Sequence, residues 1–246
     1  MRFSQASDTG LVRSRNEDSF VLMPTSVGAF LAVADGIGGL PSGEVASRLA
    51  VRTLSRAFRK EGAFPPDAAS LRSAFARANE AILRARAADP GLEMGTTLTC
   101  AWVEGSRCVF AHVGNSRLYL MSGEELRQLT DDHSVVGELM KKGTIDREGA
   151  RRHPERHVLT KALGVEARAE VDVREIALGA GDVLILCTDG LTAALTEEAI
   201  VRIVGEGFED AAARLVEAAN RAGGSDNVTI LLAMVEGVDV ETGIGA

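Results

Sequence analysis

Aromatic residues are scarce in this 246-residue chain: one Trp, one Tyr and eight Phe leave Val, Leu, Ile and Ala to fill the core. No apolar run approaches the roughly 20 residues needed to cross a bilayer, so no membrane insertion is expected. The first residues lack a charged region followed by an apolar stretch, so no signal peptide is expected and the cytoplasm is the expected location. Positive charge is not in excess. Lys and Arg total 27 against 35 Asp and Glu, a formal net charge of −8, which argues against binding a nucleic-acid backbone as the main business. Cysteine is limited to Cys100, Cys108 and Cys187, all in apolar, strand-like surroundings. That odd number and placement suit buried, reduced thiols in a reducing compartment; a redox role for Cys187, two residues before Asp189, is the competing reading. None of the three heads a Cys-x5-Arg segment, so that nucleophilic cysteine motif is absent. Internal repeats and low-complexity linkers are also absent.

What is present describes an ordinary globular chain, 46% hydrophobic and 25% charged, long enough for one large domain or two small ones. Its acidity is not spread evenly. Four acidic clusters stand where a loop meets an apolar strand: Asn16-Glu17-Asp18, Asp35-Gly36 with Ile37-Gly38-Gly39, Thr188-Asp189-Gly190 and Ser225-Asp226-Asn227. Phe30 to Ala34 and Val183 to Cys187 are unbroken apolar runs that lead into Asp-Gly steps, whereas Asp226 precedes such a run, Val228 to Val235. Strands this apolar belong inside a sheet, so the carboxylates stand at the rim of the core. Carboxylates that converge repel one another unless a cation neutralises them, and hard oxygen ligands suit magnesium or manganese. Any one of these aspartates alone would more often cap a helix or form a turn.

Strands are predicted over 2–7, 19–23, 29–34, 97–103, 107–112, 117–121, 125–129, 170–176, 182–187 and 228–235, several joined by short turns that read as hairpins. A helix after Pro41-Ser42 carries Val45, Leu49, Leu54 and Phe58 on one side. A second after Pro65-Pro66-Asp67 carries Leu71, Phe75, Ala78 and Ile82. Thr196 can cap a short helix, and Phe208, Ala212, Leu215 and Ala219 mark a longer one ending near Gly223-Gly224. Residues 134–158 turn polar and charged, and 237–246 carry no core-forming pattern, a tail expected to be disordered. Hairpins with helices grouped between them suit an antiparallel α+β layered domain.

Segment by segment, the chain resembles the metal-dependent serine/threonine protein phosphatases of the PPM, or type 2C, family. The resemblance rests on Ser7 to Arg13 leading into Asn16-Glu17-Asp18, Asp35 to Gly39, Gly95-Thr96-Thr97, Val113-Gly114-Asn115-Ser116-Arg117, Leu129 to Ser134, Leu159 to Gly164, Asp189-Gly190 and Asp226-Asn227, in that order. It spans about residues 1 to 236, taken as one catalytic domain. It implies a four-layer α-β-β-α sandwich, two antiparallel sheets flanked by helices. It also implies hydrolysis of phosphoserine and phosphothreonine by a water that two ions, Mn2+ or Mg2+, activate.

By that resemblance Asp35 bridges both ions, with the Gly36 carbonyl as a further ligand. Asp189 and Asp226 hold one ion; Glu17 and Asp18 supply or orient the other. Asp35, Asp189 and Asp226 are thus the catalytic carboxylates. Arg13 matches the phosphate-binding arginine, whose fork holds two phosphate oxygens; a surface salt bridge is the plainer alternative.

Two positions depart from the pattern. Ile37 stands where some members, chiefly eukaryotic, carry a histidine that protonates the leaving group. His133 is one candidate replacement, although an Asp-His-Ser turn suits a structural role. Asn115 replaces the aspartate that, beside Asp189, helps hold a weak third metal; Asn keeps an oxygen but loses the charge.

Arg147, Arg151, Arg152, His153, Arg156 and His157 make 147–157 basic where the family carries a flap beside the cleft. Such a flap would draw acidic phosphopeptides, or else be a solvated surface. The expected partners are phosphorylated proteins, including a Ser/Thr kinase, met by a monomer. Two rivals stay open: a phosphatase-shaped scaffold without turnover, and a phosphatase dedicated to a switch such as an anti-sigma antagonist.

Overall fold

The computed structural model describes residues 1–37, 42–59, 65–89, 91 and 93–236. The expected tail, and Gly38, Gly39 and Pro41, lie outside these residues. Among the described residues, ten strands form two five-stranded sheets, and every pairing is antiparallel. In one sheet, β1 (Arg2–Asp8) lies beside β10 (Val228–Met234), followed by β9 (Val183–Cys187), β6 (Arg117–Ser122) and β7 (Glu125–Gln128). The other runs β2 (Asp18–Pro24), β3 (Ala29–Asp35), β4 (Leu98–Glu104), β5 (Arg107–Val113) and β8 (Asp172–Ala177).

The unbroken apolar runs arise because both faces of the central strands are covered. Side chains alternate across a strand. In β3, Ala29, Leu31 and Val33 face the opposite sheet and pack with Leu184 and Leu186 of β9 and Leu231 of β10. Phe30, Ala32 and Ala34 face the helices α1 (Gly43–Phe58) and α2 (Ala68–Ala88). On the far side, Ile185, Cys187, Ile230 and Leu232 pack against α5 (Asp189–Ala194), α6 (Glu197–Gly205) and α7 (Ala211–Arg221). The result is the α-β-β-α sandwich expected from the sequence. Among the described residues no helix is long and apolar enough to cross a membrane.

The α2 stripe of Leu71, Phe75, Ala78 and Ile82 is buried as the spacing predicts, and Asp67 caps that helix by accepting from the Ser70 amide. In α1 the stripe is rotated. Ala46, Ala50, Val51, Leu54 and Phe58 form its buried face, while Val45 and Leu49 flank it half-buried. The small alanines let the helix axis approach the sheet, so the larger aliphatics spread to its edges. The polar stretch 134–158 holds two short helices that the sequence pattern missed, α3 (Val135–Lys141) and α4 (Arg147–Arg152). All three cysteines are buried and free, and burial pushes the Cys187 thiol up to about 12, which opposes a redox role.

Register brings the acidic segments to one end of the sandwich. Asp18 pairs with Asp35 across β2 and β3, and Asp8 pairs with Val228 across β1 and β10, so the flanking loops meet there. Cys187, two residues before Asp189, pairs with Ile230 on the same end of β10.

Candidate active site

A cavity of about 140 Å3 opens at this end, walled by Arg13, Glu17, Asp35, Gly36, Asn115, Asp189 and Asp226, with Ile37, Thr97, His157, Leu159 and Asn227 also lining it. Each acidic residue is placed by the backbone around it. Asp35 ends β3; its amide donates to the Thr97 hydroxyl at 2.9 Å, and its carbonyl accepts from the Thr97 amide at 2.9 Å. The Gly36 amide donates to the Glu17 carbonyl at 3.2 Å, stitching the β2 entrance to the β3 exit. A Cβ on Gly36 would stand 2.4 Å from the Gly43 backbone, so the glycine is required by the close approach of the α1 start. Asp189 is the first residue of α5, a helix the sequence reading did not include.

Asp18 is not part of the cavity wall. Its Oδ2 accepts from the Thr188 hydroxyl at 2.9 Å, while Oδ1 is sealed from solvent without a hydrogen bond of acceptable geometry. Burial, with the charges of Asp189 and Asp226 adding to it, raises the Asp18 carboxyl to about 7 against the partial offset of the Thr229 and Thr188 hydroxyls. Burial and the charges of Asp18, Asp189 and Asp226 also raise the Asp35 carboxyl well above the ordinary range. Asp189 is raised by burial and by Asp226, and hydrogen bonds from Asn115 and Asp35 work against that rise. Glu17 is raised by burial and by Glu44.

Protein groups partly satisfy this repulsion. Arg13 reaches Asp226 through a two-pronged fork, Nη2 to Oδ2 at 3.0 Å and Nε to Oδ1 at 3.0 Å. The Asn115 side-chain amide donates to Asp189 Oδ2 at 2.8 Å. With Asp226 turned to Arg13 and Asp189 to Asn115, no three His, Cys, Asp or Glu side chains among the described residues already stand in a ligating arrangement. The donor set nevertheless fits hard divalent ions. It offers only oxygens, it is crowded with like charge, and it leaves one buried carboxylate oxygen without a partner.

The protein phosphatase 2C family model matches residues 12–232. The chain belongs to the protein phosphatase 2C family. The serine/threonine phosphatase stp of Listeria monocytogenes is 38% identical over 233 residues, 92% of each chain. The crystal structure of the Mycobacterium tuberculosis serine/threonine phosphatase PstP/Ppp has a TM-score of 0.86 at 39% identity, over 96% of this chain and 99% of that one. A structure of the PstP catalytic domain in complex with 2 manganese ions has a TM-score of 0.82 at 38% identity, over 96% and 98% of the two chains.

In this member of the protein phosphatase 2C family, one organising residue escaped the sequence reading. Asn227 is buried, and its amide donates to the carbonyls of Thr9 at 2.8 Å and Arg15 at 2.9 Å. Its Oδ1 accepts from the Glu17 amide at 2.9 Å. One side chain thus ties the Arg13 loop, Glu17 and Asp226 together. Its position inside Ser225-Asp226-Asn227 was the available signal. His133 is structural. Its Nδ1 accepts from the Gly114 amide at 3.2 Å, its Nε2 lies 3.4 Å from Asp172, and its ring stacks on His112 at 4.8 Å.

Proposed function

We propose that this protein phosphatase 2C chain removes phosphate from phosphoserine and phosphothreonine in proteins, using two divalent ions, Mn2+ or Mg2+. Residues 1–236 act as its catalytic domain. Asp35 would bridge the ions with the Gly36 carbonyl beside it. Asp189 and Asp226 would hold one ion; Glu17 and Asp18 would hold or orient the other, and Asn115 with Asp189 would offer a weak third position. The observation that carries this reading is the crowd of half-buried, mutually repelling carboxylates at and behind one cavity, with the sealed Asp18 Oδ1 unpartnered. Two ions bound there would activate a water for in-line attack and offset the charge of the transferring group.

The remaining work belongs to side chains. Once Asp226 turns to an ion, Arg13 is freed, and the fork now closed on a carboxylate has the geometry to hold two phosphate oxygens. The salt bridge and the phosphate role are therefore two states of one residue. Asn227 keeps the Arg13 loop in register with the acidic cluster. Substrates are phosphorylated proteins, a Ser/Thr kinase among them. The Asn115–Asp189 bond is the one feature that favours a scaffold without turnover, because it occupies an oxygen an ion would need.

The test is phosphate release from a phosphothreonine peptide, with manganese and with chelator, by wild type and Asp35→Asn. Manganese-dependent release that the substitution abolishes is the expected outcome. A folded wild-type protein that binds manganese calorimetrically yet releases no phosphate would instead establish the scaffold.

A further inference from the structure

Serine or threonine leaves as an alkoxide, a poor leaving group, unless a proton reaches its oxygen as the bond to phosphorus breaks. Ile37 cannot supply one, and His133 is held between Gly114 and Asp172 away from the cavity wall. Among the side chains that do line the cavity, Arg13 keeps its proton at all working pH values. Glu17, Asp35, Asp189 and Asp226 would hold the ions, Asn115 and Asn227 are amides, and the Thr97 hydroxyl is held between the Asp35 amide and the Ser116 hydroxyl. That leaves His157, whose imidazole is the side chain most often used to pass a proton in catalysis.

Its place in the fold suits the task. His157 also lines a groove of about 550 Å3 that borders α4, α5 and α6 and shares Asn115 and Asp189 with the cavity. The same ring therefore stands where the groove meets the cavity. It is exposed, and among the described residues it forms neither an ion pair with Asp189 nor a hydrogen bond that would pin it.

We propose that His157 is the general acid that protonates the departing seryl or threonyl oxygen. The ring N–H proton passes to that oxygen as the phosphorus–oxygen bond breaks, and the bonding pair stays on oxygen. The attacking water forms the new bond to phosphorus and gives its proton to solvent. The neutral imidazole then takes a proton back from solvent through the open groove. Atoms balance as phosphomonoester plus water giving alcohol plus phosphate.

This inference rests on the phosphatase reading, and the test separates the two. His157→Ala and His157→Gln are compared with wild type on a phosphothreonine peptide and on p-nitrophenyl phosphate, whose leaving group departs readily without a proton. The expected loss in kcat on the peptide is about 100-fold, exceeding the loss on p-nitrophenyl phosphate at least tenfold, with added imidazole restoring part of the His157→Ala loss. Manganese affinity by calorimetry stays at the wild-type value. Equal losses on both substrates, no loss on the peptide, or weakened manganese binding would overturn the assignment. Failure of wild type on both substrates would instead sink the phosphatase reading.

Discussion

At the residue scale, Asn115 shows how one atom changes a site. Its amide nitrogen donates to Asp189 Oδ2 at 2.8 Å, so it stabilises the metal-free cluster as a cation would, without carrying charge. An aspartate there would face Asp189 as a second anion, and the metal-free site would be strained by like charge. Asn115→Asp is therefore expected to lower the melting temperature of the chelated protein by a few degrees, for about 1 kcal/mol lost. In manganese the same substitution should add a weak binding event and move the activity titration. Calorimetric and thermal titrations identical to wild type in both conditions would show that this contact does not govern the ion content. Both Asp189 and Asn115 were legible in the sequence, because each falls in a segment with a recognisable pattern. The hydrogen bond between them was not, since 74 residues separate them and only the fold brings them together.

At the element scale, the strands and the two long helices were readable because each buries enough surface to impose a period on its sequence. The short helices α3, α4 and α5 span seven, six and six residues, too few turns for a stripe to stand out. For α3 and α4 the traces were the caps: Ser134 accepts from the Gly137 amide at 3.1 Å and Asp146 from the Gly149 amide at 2.7 Å, whereas Thr188 before α5 makes no such bond. What holds α4 in place is equally local. Arg151 donates to the carbonyls of Leu195 at 2.7 Å and Thr192 at 3.3 Å, capping the C-terminal end of the helix that begins with Asp189. Arg147 pairs with Glu197 at the start of α6. Part of the basic character read from residues 147–157 is thus spent on docking the segment rather than left for substrate. Arg151→Ala should raise hydrogen exchange in α4 and in the last turn of α5 and lower kcat/KM several-fold, while Arg151→Lys recovers part of both. Exchange unchanged in both helices would show that the segment is held by other contacts.

Across the whole molecule, stability and pH are linked by buried groups of opposite sign. Asp18 and Asp35 are raised by burial, so the metal-free fold takes up protons more readily than the unfolded chain, and acidification from neutral pH favours it. His112 acts the other way. It is fully buried in β5; Nε2 donates to the Asp131 carbonyl at 3.1 Å, and Nδ1 lies 2.8 Å from the Thr99 hydroxyl, which also reaches the Ser116 carbonyl at 3.0 Å. Burial, and then His133 beside it, lowers its pKa from 6.5 to about 4 despite the nearby charges of Asp132 and Asp172. Below pH 6.5 the unfolded chain protonates this histidine while the fold does not. Its contribution is therefore complete above that value and is lost as pH falls towards 4. The two effects are separated by comparing wild type with His112→Gln in urea, since the acidic cluster is common to both. The gap in unfolding free energy between them should shift by about 2–3 kcal/mol, against the wild type, between pH 7 and pH 4.5. A gap that stays constant would mean that His112 is protonated inside the folded sheet, with Nδ1 donating to a Thr99 hydroxyl whose own proton goes to the Ser116 carbonyl.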